Sequence, residues 1–135
     1  RIFYLTAQFL KAGAILMATI TVLLTQAPYA SQQASDGIEF ALASTNYGHE
    51  CQVVFSGKGV LQLLANQQPA ARKSQLKQAR VLPFYDIEPV YVCQASLTAL
   101  QLTVADLGID EEDLELLDAS ALRQLLTQSD HTVTF

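Results

Sequence analysis

The sequence predicts an α/β fold: a single-domain, three-layer sandwich in which a five-stranded, mostly parallel sheet carries helices on both faces, as in flavodoxin-like proteins. Three observations lead there. Short apolar, β-rich runs alternate with segments of helical periodicity, giving the order strand, helix repeated four times and closed by a fifth strand. Glycine, proline and aspartate punctuate most of the switches between them. A chain of 135 residues is also long enough to bury a core without metals or disulfides.

The first strand is expected over residues 19–24, where Thr19 and Thr21 alternate with Ile20 and Val22. Arg1 and Lys11 ahead of an apolar run, with Ala27-Pro28-Tyr29-Ala30 after it, have the outline of a signal peptide. That alternation reads as a strand, and the run is shorter than the roughly 20 residues of a membrane span. Met17 stands directly before the strand, so residues 1–16 are expected to be an appended or upstream-translated extension and residues 17–135 the domain. Residues 31–46 follow as an amphipathic helix with Ile38, Ala41, Leu42 and Thr45 inward and Gly48 as its stop.

A second strand covers residues 52–55 and ends in Ser56-Gly57-Lys58-Gly59. This is only superficially a phosphate loop, because GxxxxGK[ST] is not met and a tight turn accounts for the glycines. A short helix over residues 60–66 leads into a glutamine-rich polar connection. Strands at residues 90–93, 114–117 and 132–135 and helices at 95–102 and 119–128 complete the order. Asp118 caps the last helix, and Leu122, Leu125 and Leu126 form its inner side.

Half of the residues are hydrophobic and 16% are charged, below the quarter or so of a lone domain, which points to surface covered by partners. The net charge of −5 argues against a broad nucleic-acid surface. Arg72, Lys73, Lys77 and Arg80 form one basic cluster without interleaved aromatics, and residues 106–118 form an acidic one. Both suit solvated faces, with partner docking as the sharper reading. Cys51 and Cys93 are too few for a zinc site or a disulfide framework, and His49 reads as a loop residue, so neither a metal nor a cofactor is expected.

The chain is organised around residues 81–97, VLPFYDIEPVYVCQASL, where a strand delivers Cys93 to the start of a helical pattern. Free N–H groups and the positive end of a helix favour a thiolate there, and a thiolate is the form that attacks sulfur. A small buried apolar residue is the other reading of Cys93. Lys58 is a candidate electrostatic helper. In such sheets sites gather at the carboxyl ends of strands, where Pro28-Tyr29, Gly57-Lys58 and Cys93 fall. Asp86 and Glu88, two apart, would share a side of an extended segment and are assigned to an interface.

The blocks LLTQAPYAS, FSGKGVLQLLANQQP and LPFYDIEPVYVCQASL resemble the TusC/DsrF branch of the DsrE/DsrF/DsrH (TusBCD) sulfur-relay family, over residues 18–135. The resemblance implies a DsrE-like fold. It further implies a cytoplasmic subunit without catalytic activity of its own, joined to TusB-like and TusD-like sister subunits in a heterohexamer of two heterotrimers. That complex passes persulfide sulfur to a TusE-like acceptor and on to 2-thiolation of the tRNA wobble uridine. Cys93 matches the motif position at which the related DsrE/TusD branch carries sulfur, whereas this branch is regarded as the structural member. The expected role is therefore assembly, with direct sulfur carriage on Cys93 as the alternative.

Other classes fit less well. A nucleotide or flavin module lacks a glycine-rich motif after the first strand, where Thr25-Gln26-Ala27-Pro28 stands. Hydrolysis lacks a GxSxG elbow. Neither direct contact with nucleic acid nor a membrane is expected.

Overall fold

The computed structural model describes residues 18–29, 32–65 and 75–135. The expected leading extension and the basic residues Arg72 and Lys73 lie outside them. The elements run β1 (Thr19–Leu24), α1 (Gln33–Asn46), β2 (Glu50–Phe55), a 3-10 turn Gly57–Leu63, α2 (Gln75–Ala79), a 3-10 turn Leu82–Tyr85, β3 (Val90–Cys93), α3 (Gln94–Ala99), β4 (Leu114–Leu117), α4 (Ala119–Gln128) and β5 (His131–Thr134).

The five strands form one sheet in the order β4-β3-β2-β1-β5, and every pairing is parallel. The chain steps outward from β1 to β4 and then crosses back, so β5 adds beside β1. Alternation along each strand sorts the side chains. Val22 and Leu24, Val53 and Phe55, and Val90 and Val92 point to one face and are fully buried. Ile38, Ala41, Leu63, Leu82 and Ile87 cover that face, which holds the core.

The opposite face is mixed: beside the buried Val54 and Leu117, Thr21 donates to Gln52 Oε1 (3.3 Å) and is hydrogen-bonded to Ser129, which follows α4. α4 is the helix on this side, and none of its residues is fully buried. The sandwich is therefore lopsided, with a thick apolar layer on one face and a thin covering on the other.

The helix ends follow from local chemistry. α1 stops in a Schellman closure, with Gly48 N–H donating to Thr45 O (3.0 Å) and His49 N–H to Ser44 O (3.3 Å), and Gly48 at φ +86° supplies the left-handed residue. α3 closes in the same way through Leu102 N–H to Leu97 O (2.9 Å), with Gln101 at φ +58°. This ends the helix at Ala99, ahead of the expected residue 102. Asp118 caps α4 by accepting from Ala121 N–H at 2.7 Å. Asp118→Ala is expected to lower the urea midpoint by the equivalent of about 1 kcal/mol without changing the far-ultraviolet spectrum of the remaining helices.

Two segments differ from expectation. The polar connection contains the short α2, whose Leu76 and Ala79 are buried under the sheet-covering layer. The expected helix at residues 60–66 is instead the 3-10 turn Gly57–Leu63. It is held tight because Gly59 packs so closely on the end of β1 that an added Cβ would lie 2.0 Å from Leu24 O.

Candidate functional site

The carboxyl edge of the sheet brings together the loop after β1, the 3-10 turn after β2 and the start of α3. Gln62, fully buried, donates from Nε2 to Gln26 O (2.9 Å) and ties the first two together. Gly57 N–H donates to Ser96 Oγ (2.8 Å) and ties the second to the third. Cys93, 9% exposed, lies in this corner as the last residue of β3 and the N-cap of α3.

Burial alone would push the Cys93 thiol up, yet its pKa is lowered from the usual thiol value. Four interactions outweigh the burial: the side chain of Ser96, its backbone N–H, the side chain of Ser56 and the backbone N–H of Ala95. The neutral thiol forms no side-chain cap of α3. An ionised sulfur is the stronger acceptor and draws on these donors. The Gly57–Ser96 bond matters for the direction of the proton: Ser96 Oγ already accepts from the backbone, so its single O–H is left to donate toward sulfur.

The expectation for Cys93 rested on the free N–H groups and the positive end of a helix. The N–H groups of Ala95 and Ser96, in the first turn of the six-residue α3, act on it, and the hydroxyls of Ser96 and Ser56 act beside them. Ser56 and Ser96 were not singled out in the sequence. A serine three residues after a candidate N-cap was the available signal for Ser96. For Ser56 there was none, because it lies in the turn after β2, far from Cys93 in sequence. Lys58 is exposed in the turn and is not among the groups acting on Cys93.

Cys51 shows the contrast. It faces the core from β2, and burial pushes its thiol up to about 11. Its neutral form is the one the fold favours, so its stabilisation is full below the ordinary thiol pKa and is lost as pH rises toward 11. Stability to chemical denaturation should therefore fall by about 2 kcal/mol between pH 9 and 11, and Cys51→Ala should flatten that limb relative to its own neutral-pH value.

The remaining candidates lie elsewhere. His49 Nδ1 accepts from Ala18 N–H (3.4 Å) beside β1. Among the described residues no three His, Cys, Asp or Glu side chains form a metal-binding group, and no helix is long and apolar enough to cross a membrane. Asp86 and Glu88 do not share an extended segment. Asp86 is left-handed at φ +64°, closing the turn Leu82–Tyr85, and Glu88 lies beyond it.

A parallel five-stranded layered domain with a donor-supported thiol at a strand's carboxyl end defines the class: an α/β protein of thiol-bearing, DsrE-like architecture. The DsrE/DsrF-like family model matches residues 18–135, and the chain belongs to that family. Among curated relatives, "Protein TusC homolog" of Vibrio vulnificus is 38% identical over 121 residues, covering 88% of this chain and all of the relative. The protein of that name from Vibrio parahaemolyticus is 34% identical with the same coverage. The one from Aliivibrio fischeri is 30% identical over 81% of this chain and 92% of its own. Among solved structures, the ychN protein from E. coli superimposes with a TM-score of 0.76 at 19% identity, over 88% of this chain and all of that one. This likeness bears out the DsrE-like fold. The chain is thus a DsrE/DsrF-like family member whose sequence is similar to TusC homologues.

Proposed function

We propose that this chain is the assembly subunit of a sulfur-relay complex, cytoplasmic and built with TusB-like and TusD-like sister subunits into a heterohexamer of two heterotrimers. The complex passes persulfide sulfur through a TusE-like acceptor toward 2-thiolation of the tRNA wobble uridine. Similarity to TusC homologues over the whole described domain supports the reading. The observation that carries it is the exposed apolar surface of the turn at residues 81–85, where Val81, Phe84 and Tyr85 stand in solvent. Co-expression with the two sister chains, followed by native mass measurement, should give a stable complex of three different chains. A chain that stays monomeric in their presence overturns it.

A second reading is favoured by the lowered Cys93 thiol: this subunit itself carries sulfur. The Cys93 thiolate would attack the outer sulfur of a donor persulfide, its S–S bond would break, and the donor would leave as thiolate while Cys93 becomes the persulfide. Incubation with a loaded donor and mass analysis of the Cys93 peptide separates the two. A gained sulfur atom, with transfer lost in Cys93→Ser, supports carriage. An unmodified peptide under conditions that load a sister subunit, with Cys93→Ser fully active, supports a purely architectural subunit.

A further inference from the structure

A cleft of about 480 Å³ opens between the turn Leu82–Tyr85 and the loop that leads into β4. Its apolar lining is Pro83, Phe84 and Ile109, and its charged lining includes Glu88, Asp110 and Asp113. It sits at the amino ends of β3 and β4, the opposite end of the sheet from Cys93, since Glu88 shortly precedes Val90 and Asp113 directly precedes Leu114. Phe84 is 87% exposed, an unusual state for a phenylalanine beside a cleft.

We propose that this cleft receives an arginine-bearing segment of a different protein chain, its guanidinium laid over the Phe84 ring and paired with the carboxylates of Glu88, Asp110 and Asp113. The inference rests on the assembly reading above and says which surface makes one contact and with what chemistry.

The charge decides the occupant. Among the described residues, three carboxylates line the cleft and Glu111 and Glu112 adjoin it in sequence, against one lining cation, Arg80, whose Nε donates to Gly108 O at 2.9 Å. Nucleic acid is excluded by its phosphates. A second copy of this chain is disfavoured because each copy carries a net charge of −5 and would bring further negative charge to an acidic cleft. A metal ion is not accommodated, since these carboxylates form no metal-binding group. Arginine fits better than lysine because a planar guanidinium stacks on an aromatic face and offers forked donors to carboxylates at the same time.

The test uses the complex co-purified with the sister chains, with Phe84 replaced by photoreactive p-benzoylphenylalanine. Because Phe84 is exposed, the fold tolerates the change. Irradiation should link position 84 to an arginine-bearing segment of a different chain. Reversing two charges together, Glu88→Arg with Asp113→Arg, should weaken assembly at least tenfold, and rising salt should weaken the unaltered contact. An assembled complex that yields no cross-link, a link to another copy of this chain, or a link to a segment without arginine overturns the inference while leaving the assembly reading standing. Failure of the unaltered chains to assemble at all overturns both.

Discussion

Gly59→Val abolishes the folded state or brings it to the edge of unfolding. The Cβ it adds would lie 2.0 Å from Leu24 O and 2.6 Å from Leu24 C, which are backbone atoms at the buried end of β1. That carbonyl cannot move freely, because it also accepts from Ser56 N–H at 3.0 Å and so holds the turn that follows β2. Overpacking against side chains costs typically about 1–3 kcal/mol, and displacing backbone in two paired strands should exceed about 4 kcal/mol, a large part of a domain's total stability. Gly57 provides the control: it has φ +57° but open space around it, so Gly57→Ala should cost only about 1–2 kcal/mol through backbone strain. Urea denaturation followed by circular dichroism separates them. A Gly59→Val protein as stable as Gly57→Ala would show that this approach is not a constraint.

The second large effect is chemical. At pH 7 iodoacetamide should alkylate Cys93 at least about tenfold faster than Cys51, because the thiolate fraction falls tenfold for each unit by which pKa exceeds pH and the weaker nucleophilicity of the more acidic thiolate offsets only about half of that on a logarithmic scale. Burial pushes Cys51 up to about 11 while the donors around Cys93 bring its thiol below the ordinary value. Ser96→Ala removes one donor and should shift the pH profile of Cys93 alkylation upward. Ser96→Thr keeps the hydroxyl and should restore it. The linkage has the opposite sign to that of Cys51. The fold favours the ionised form of Cys93, so its contribution to stability is full above the unfolded thiol's pKa and fades as pH falls through the lower folded value. Equal alkylation rates at the two cysteines, or an unmoved profile in Ser96→Ala, would remove the case for an activated thiol.

Much of the fold is legible along the chain. β1, β3, β4 and α4 have the bounds that alternation, helical spacing and the Asp118 cap predict, because those signals act between near neighbours in sequence. The position of Cys93 at a strand end is local in the same sense. The turn after β2 was recognised as tight, but its 3-10 form was not, since that form answers to Leu24 on another strand. α2 was missed because a five-residue helix in a glutamine-rich stretch carries almost no periodic signal.

The amino-acid order by itself determined which segments become strands and helices, that they alternate, and that a cysteine ends the third strand. Its blocks also pointed to the family to which the chain belongs. Only the tertiary structure decided that β5 returns beside β1, that Ser56 and Ser96 meet at Cys93, and that Phe84 is left bare in a cleft that three carboxylates also line. The physical reason is range. Periodicity, capping and turn chemistry are settled within a few residues of chain, whereas the polarity around a thiol and the charge of a cleft are sums over groups that only packing brings together.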